Sequence, residues 1–309
     1  MFRQHLLSSK ILISNLKYYG QLLKFKLSIT VVFSATIGYL LGVDTFDITT
    51  FSLLVIGGFL VTGAANGFNQ VIEREHDKFM ERTAVRPLPL GNLSVTQAFI
   101  FSMLLGALGV FALNHINPTG SFFGLMSKSG AFGLLSMVLY VLAYTPLKRI
   151  SPFAITVGAV PGAIPFLLGF VAATDDFGIA AGTLFAIQFF WQYPHFIAIA
   201  WVQDAEYKKA GFKMMLGGEK GKYPAFIGVI TAICMTVISV VPFLWEIPLL
   251  SLSVYGAVTV FLLGVWFTSK AVKLYQNCDD VTARTLMLSS FAYLPLMQIV
   301  YVLDKFIIQ

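Results

Sequence analysis

The sequence predicts an all-α, polytopic membrane protein of about nine transmembrane helices around a central cavity open to the cytoplasmic side. Three observations carry that expectation. First, the 309 residues are 57% hydrophobic and 12% charged, with a mean hydropathy of +0.79, where soluble domains carry about 25% charged residues. Second, apolar runs near the roughly 20 residues needed to cross hydrocarbon recur along the whole chain. Third, cations segregate to alternate connections between those runs. In lipid only helices and closed barrels satisfy the backbone, and runs of this length suit helices.

The runs fall at about 27–43, 51–71, 95–114, 122–144, 153–173, 178–201, 224–245, 248–268 and 286–303. The first is short, and Lys128 interrupts the fourth. No internal repeat or low-complexity segment divides the chain. Residues 1–309 therefore read as a single transmembrane domain, with 1–17 as a cytoplasmic N-terminal extension. The extension mixes cations with short apolar pieces. It lacks the continuous apolar core and small-residue cleavage site of a signal peptide. Cys234 and Cys278 stand apart from any CxxC or Cys/His cluster, which argues against structural zinc or a disulfide framework.

Arg3, Lys10, Lys17, Lys24 and Lys26 precede the first run, and Arg74, Lys78, Arg82 and Arg86 follow the second. Lys148 and Arg149 follow the fourth, Lys208, Lys209, Lys213, Lys220 and Lys222 the sixth, and Lys270, Lys273 and Arg284 the eighth. The opposite side holds only Lys128 and Lys305. The positive-inside rule then expects a cytoplasmic N-terminus and a C-terminus outside, in the cell inner (plasma) membrane. The net charge of +6 reads as cytoplasmic-face cations and calls for no nucleic-acid partner.

Chemistry concentrates between Asn66 and Pro89. Asn69, Glu73 and Asp77 are spaced by four and share one stripe of a helix. An amide oxygen and two carboxylates are hard ligands of the kind that hold Mg²⁺ together with substrate phosphates. Arg82 and Arg86 follow, and guanidinium groups suit phosphate oxygens. The bland alternative is a solvated helix end with local charge pairs, but acids at the mouth of an apolar segment are usually functional. Tyr144, Lys148 and Arg149 stand at the next cation-bearing boundary, either as an aromatic belt with positive-inside cations or as a second clamp for a polyanion. Gly158, Pro161, Gly162, Pro165 and Gly169 interrupt the fifth run and predict a bent, closely packed helix.

In the sixth run, Gln188, Trp191, Gln192, His195 and Ile199 share one helical face too polar for lipid, so a cavity lining competes with hydrogen-bonded packing. The following loop carries Asp204, Glu206, Tyr207, Lys208 and Lys209. An Asp204–Lys208 surface pair is the simple reading. Two acid-bearing segments on one membrane face suit a metal–diphosphate site better, with Asp204 and Glu206 adding to Asn69, Glu73 and Asp77. No GxxxxGK[ST], HExxH or GxSxG motif is present.

These residues together resemble the UbiA-type intramembrane prenyltransferases and, within them, the protoheme IX farnesyltransferase (heme O synthase) branch. The superfamily's Asn/Asp-xxx-Asp-xxx-Asp motif is similar to Asn69, Glu73 and Asp77, and its Asp-Arg-x-Met-x-Arg-Thr-x-x-Arg-Pro-Leu segment to the stretch from Asp77 to Leu88. A Tyr-Thr-x-x-Leu-Lys-Arg element appears, with a one-residue difference, from Tyr144 through Thr145 to Arg149. The Trp-Gln-x-Pro-His-Phe element that separates heme O synthases from quinone prenyltransferases is intact at Trp191, Gln192, Pro194, His195 and Phe196. Glu206, Tyr207, Ala210, Gly211, Met214 and Met215 match the segment after it. Glu73 and Glu206 stand where Asp is usual, and Lys24-Phe25-Lys26 stands where the family often has Lys-Pro-Arg. The resemblance runs from about residue 18 to the C-terminus.

The resemblance implies transfer of the farnesyl group of farnesyl diphosphate to the 2-vinyl group of protoheme IX, with water added, giving heme O and diphosphate. It implies Mg²⁺ as cofactor and Asn69, Glu73, Asp77, Lys148 and Tyr144 as catalytic residues. Arg82, Arg86, Lys148, Arg149 and Lys26 are expected on the diphosphate, and His195, Trp191, Gln192 and Tyr207 on the heme. Partners implied are the bilayer and a heme A synthase or terminal oxidase assembly. Two alternatives stand beside this reading: a UbiA-type prenyltransferase acting on an aromatic quinone precursor, and a small-solute transporter. A transporter needs polar groups through the whole thickness, whereas here they gather at one end.

Overall fold

The computed structural model describes residues 16–119, 121–122 and 124–308; the extension at 1–15 lies outside the described residues. Nine long helical segments occur among them: α1 Phe25–Gly42, α2 Ile48–Asp77, α3 Val95–Asn114, α4 Lys128–Leu147, α5 Ala154–Thr174, α6 Ile179–Val202, α7 Lys222–Ile238, α8 Val254–Asn277 and α9 Asp280–Leu303. All except α6 are apolar enough by composition to cross a membrane. α6 has the length, at 24 residues, but Gln188, Gln192 and His195 lower its hydropathy, and all three are buried in protein.

Polar termini fix where the helices begin. Asp47 caps α2 through the amides of Thr49 and Thr50. Ser94 and Gln97 form a capping box on α3. Ser253 caps α8 and Asp279 caps α9. Two caps and a turn explain where the elements depart from the apolar runs. α4 starts at Lys128 because a short hairpin, Ser121–Phe122 with Met126–Ser127, occupies the start of the expected run and ends on the Ser127 cap. α8 starts six residues late because Ile247 bridges to Leu250 through a turn with Leu249 at φ 66°. α9 starts six residues early, at the Asp279 cap.

The neighbours of each helix define two joined arcs. α1 to α5 pack in sequence, and α5 returns to α1; α6 to α9 pack in sequence, and α9 returns to α6. The α5–α6 and α1–α9 contacts join the arcs. Perimeter helices turn large apolar side chains outward, such as Phe99, Leu104, Leu108 and Phe111 on α3 and Val258, Phe261, Leu262 and Val265 on α8. Their inner faces carry small residues, as in Ala98, Ser102, Gly106 and Gly109 of α3. Lipid offers no hydrophobic drive between helices, so close small-residue contact holds them together.

α5 is the spine, with 78% of its apolar window buried. Its glycines seat three neighbours: Gly158 faces Tyr144 of α4, Gly162 faces Gln192 of α6, and Gly169 faces the α1 backbone at Ala35 and Tyr39. A Cβ on Gly169 would overlap the Ala35 carbonyl oxygen, which a rigid helix cannot move aside. Gly169→Ala is therefore expected to destabilise the fold by about 1–3 kcal/mol, read as a lower thermal midpoint in detergent. A buried amide chain also crosses the seam: Gln298 of α9 donates to Ser34 of α1 at 3.1 Å and to Gln188 of α6 at 3.4 Å, and Gln188 donates to the Gly162 carbonyl at 2.7 Å.

The cation-bearing connections gather at one end of the bundle. Arg149 meets His76 at 3.1 Å, the Lys213 amide reaches the Lys148 carbonyl at 2.6 Å, and Lys220 pairs with Asp280 at 2.6 Å. At the other end Lys128 pairs with Asp175 at 2.9 Å, and Lys305 donates to the carbonyls of Leu41 and Val43.

Candidate active site

α2 continues as one helix past the expected end of its apolar run, through Asp77. Asn69, Glu73 and Asp77 therefore share a continuous helical face. All three are buried, at 2%, 4% and 0% exposure. Buried carboxylates need partners, and the partners come from three other segments. Glu73 forms an ion pair with Lys148, and Asp77 pairs with Arg86 at 2.7 Å. Asn69 donates to the Thr145 hydroxyl at 3.3 Å and accepts from Lys24 at 3.2 Å. The second oxygen of Asp77, Oδ1, is sealed from solvent and has no hydrogen-bond partner among the described residues.

Lys24 takes the place expected of Lys26, which is exposed. The reason is a break in the chain just before α1, where Lys24 adopts a left-handed conformation with φ 45°. Two α2 side chains hold that break open. Gln70 donates to the carbonyls of Gln21 and Leu22, and Asn66 donates to that of Leu23. Burial, reinforced by the nearby Arg86 guanidinium, pushes the Lys24 ammonium down to about 7. Arg86 and Lys148 thus pair with the two carboxylates, and Lys24 adds a third basic group beside them on Asn69. A bound anion beside these groups would favour the charged form of Lys24, so the arrangement suits an anion.

α4 delivers Lys148 through an irregular end. Leu139–Tyr144 is a π-helical segment, a feature frequent at functional sites. Thr145 sends both its amide and its hydroxyl to the Tyr140 carbonyl, and Pro146, which has no N–H, follows. Tyr144 stacks on Phe196 of α6, with centroids 6.3 Å apart. The Lys148 ammonium lies 5.0 Å from the Tyr144 ring and 5.3 Å from the Phe212 ring.

The two acid-bearing loops do meet, through contacts other than a shared acid cluster. Glu206 accepts from the Glu81 amide at 2.7 Å, capping the helical turn Glu81–Ala84, and pairs with Lys209 at 2.7 Å. Those hydrogen bonds, from Lys209 and then from the Glu81 amide, hold its carboxyl below the usual range. Asp204 pairs with Lys208 at 2.8 Å. Among the described residues no three His, Cys, Asp or Glu side chains converge on one point. Cations within one helical turn thus pair with both Asp204 and Glu206, and neither acid is paired with Glu73 or Asp77. His76 joins three segments, contacting the Ala210 carbonyl at 2.9 Å and Arg149 at 3.1 Å. Arg82 is exposed beside this junction.

Tyr207, expected with His195, lies instead near Lys148, where burial pushes its phenol up. Tyr207 and Phe212 also line a cleft of about 560 Å³, together with Ile150, Ala200, Asp204 and Met214. Phe212 thus borders the cleft and also lies against the Lys148 ammonium.

The α6 face divides. Gln192 packs against Gly162 of α5. Trp191 and His195 stack on each other at 4.5 Å, and both bind Ser290 of α9. Lys24, Thr145 and Ser290 touch these side chains although sequence reading gave them no role of their own. Lys24 and Thr145 lie inside the quoted elements and Ser290 outside them, and only the fold brings each to the site.

The donor set tests a divalent cation directly. Asn69, Glu73 and Asp77 offer hard oxygens on one face, one carboxylate oxygen has no partner, and cations for a bound diphosphate surround them. These residues fit Mg²⁺.

Residues 31–294 match the UbiA prenyltransferase family. Among curated proteins, the chain is 46% identical to the protoheme IX farnesyltransferase of Flavobacterium psychrophilum, over 94% of each chain. It is 45% identical to that of Christiangramia forsetii, over 95% of each. Among solved structures, a digeranylgeranylglyceryl phosphate synthase superposes with a TM-score of 0.76 at 20% identity, covering 94% of this chain and 98% of that one. A UbiA homolog from Archaeoglobus fulgidus bound to GPP and Mg²⁺ gives 0.67 at 14% identity, covering 92% and 99%. With an aligned relative at 46% identity, a family match across most of the helices and the same fold in solved structures, this chain belongs to the UbiA prenyltransferase family.

Proposed function

We propose that this chain transfers the farnesyl group of farnesyl diphosphate to the 2-vinyl group of protoheme IX, giving heme O and diphosphate. The carrying observation is the buried stripe Asn69–Glu73–Asp77 with Lys24, Arg86 and Lys148 converging on it, in a chain whose aligned relatives are named protoheme IX farnesyltransferases. The intact Trp191-Gln192-x-Pro194-His195-Phe196 element favours heme over an aromatic quinone precursor as acceptor. Polar groups collected at one end of the bundle favour a reaction chamber over a transport path.

The difficult step is ionising the allylic C1–O bond, and the leaving diphosphate carries the charge that must be stabilised. Mg²⁺ held by Asn69, Glu73 and Asp77, with Asp204 and Glu206 as candidates for a second position, would supply Lewis-acid stabilisation of that leaving group. Lys24, Lys148 and Arg86 neutralise the remaining charge, with Arg82 and Arg149 at the rim. Tyr144, Phe196 and Phe212 keep the site dry, so each charge interaction is stronger than in water. The terminal carbon of the vinyl group bonds to farnesyl C1. The cation left beside the porphyrin takes up water and loses a proton, giving the hydroxyethyl-farnesyl product.

The cation-bearing end, and with it the N-terminus, faces the cytoplasm of an inner-membrane protein, with the C-terminus outside. Heme A synthase or a terminal oxidase assembly is the proposed recipient. Purified protein given farnesyl diphosphate and Mg²⁺ is expected to convert hemin and to leave 4-hydroxybenzoate unchanged. EDTA should abolish turnover, and added Mg²⁺ should restore it. Prenylation of 4-hydroxybenzoate in place of hemin would overturn the acceptor assignment.

A further inference from the structure

The stack of His195 on Trp191 has a feature that the proposed reaction does not require. The ring is held on several sides and released on one. Trp191 covers one face, at 4.5 Å and 17° between planes, and Phe291 approaches edge-on at 5.1 Å and 80°. Nδ1 lies 2.8 Å from the Ser290 hydroxyl. Among the described residues Nε2 has no hydrogen-bond partner, and it is not one of the sealed polar atoms.

The hydroxyl determines which nitrogen carries the proton. Ser290 has one hydroxyl proton, and it is committed to the Met287 carbonyl 2.6 Å away, within the same turn of α9. Ser290 Oγ can then only accept from Nδ1, so the imidazole is the Nδ1–H tautomer and Nε2 keeps its lone pair. The same residue is gripped a second time: the Trp191 indole N–H donates to the Ser290 carbonyl at 3.2 Å. Two bonds from α6 to one residue of α9 fix the ring's position as well as its tautomer. A neutral imidazole oriented through its far nitrogen, with the near one open, is the arrangement that outer-shell hydrogen bonds impose on metal-binding histidines.

We infer that Ser290 is a positioning residue for the acceptor substrate: it holds His195 with Nε2 presented as an axial ligand to the iron of the bound porphyrin. This rests on the proposed function, since the porphyrin is the substrate named there. It adds that the acceptor is recognised through its metal as well as its shape, and by a residue outside the family motifs.

The test is an absorption titration of the full chain in detergent with hemin and with metal-free protoporphyrin IX. The parent protein is expected to bind hemin at least about tenfold more tightly than the metal-free porphyrin, with a Soret band typical of imidazole ligation. Ser290→Ala and His195→Ala should each lose that preference and that band while still binding protoporphyrin, and Ser290→Thr, which keeps the hydroxyl, should retain both. Ser290→Val, the same shape as Thr without the hydroxyl, decides the matter should Ala not fold. A role in packing alone would weaken both porphyrins together. Parent-like hemin preference in the Ala and Val variants overturns the inference, as does a parent protein that does not distinguish the two porphyrins yet farnesylates hemin. If the parent neither binds nor farnesylates hemin, the proposed function fails as well.

Discussion

Asp77→Asn is expected to lower diphosphate release by at least about a hundredfold while the protein remains folded. The substitution keeps the shape of the side chain and one oxygen that can still accept from Arg86. It removes the charge, and it replaces one carboxylate oxygen with an amide NH₂ that cannot bind a cation. The unpartnered Oδ1 is the atom that makes this prediction specific. A side chain that merely anchored Arg86 would have no reason to leave an oxygen sealed and unsatisfied. Arg86 is half-buried and can rehydrate, so the stability cost should stay small. Release of diphosphate at the parent rate by purified Asp77→Asn would sink the metal assignment.

Lys148→Met carries the largest expected effect on stability. The Lys148 and Glu73 side chains are 11% and 6% exposed. Removing the ammonium leaves Glu73 charged and alone in a poorly solvated place, at a cost of about 3–5 kcal/mol. Adding Glu73→Gln removes the stranded charge, so the double variant should recover most of the lost stability. Turnover should recover in neither, because the ammonium that faces the leaving group is gone in both. Thermal melts and diphosphate release on the single and double variants give the comparison. A single variant as stable as the parent would mean that the pair is solvated.

Much of this was legible in the sequence because it depends on local rules. A spacing of four puts Asn69, Glu73 and Asp77 on one face of any helix, whatever surrounds it. Alternating cations report which connections share an end of the bundle without reference to packing. Pairings between distant segments leave no such trace. Nothing local says that Glu73 meets Lys148, 75 positions on, or that Ser290 reaches His195. The shift from Lys26 to Lys24 follows from a single left-handed residue, to which hydropathy is blind. Counting acids on a membrane face likewise does not reveal the lysines one turn away that pair with Asp204 and Glu206. The displaced start of α8 has a similar cause: an apolar run that forms a turn reads the same as one that forms a helix.

The direct partners of the acid stripe, Lys24, Arg86, Thr145 and Lys148, all lie in the first half of the chain. Ser290, which grips His195, and Gln298, which bridges α1 to α6, come from the last helix. During synthesis, the donor half of the chamber can therefore assemble while the ribosome is still at work. The acceptor half waits for the final insertion event, because His195 gains its Ser290 contact only when α9 is in place.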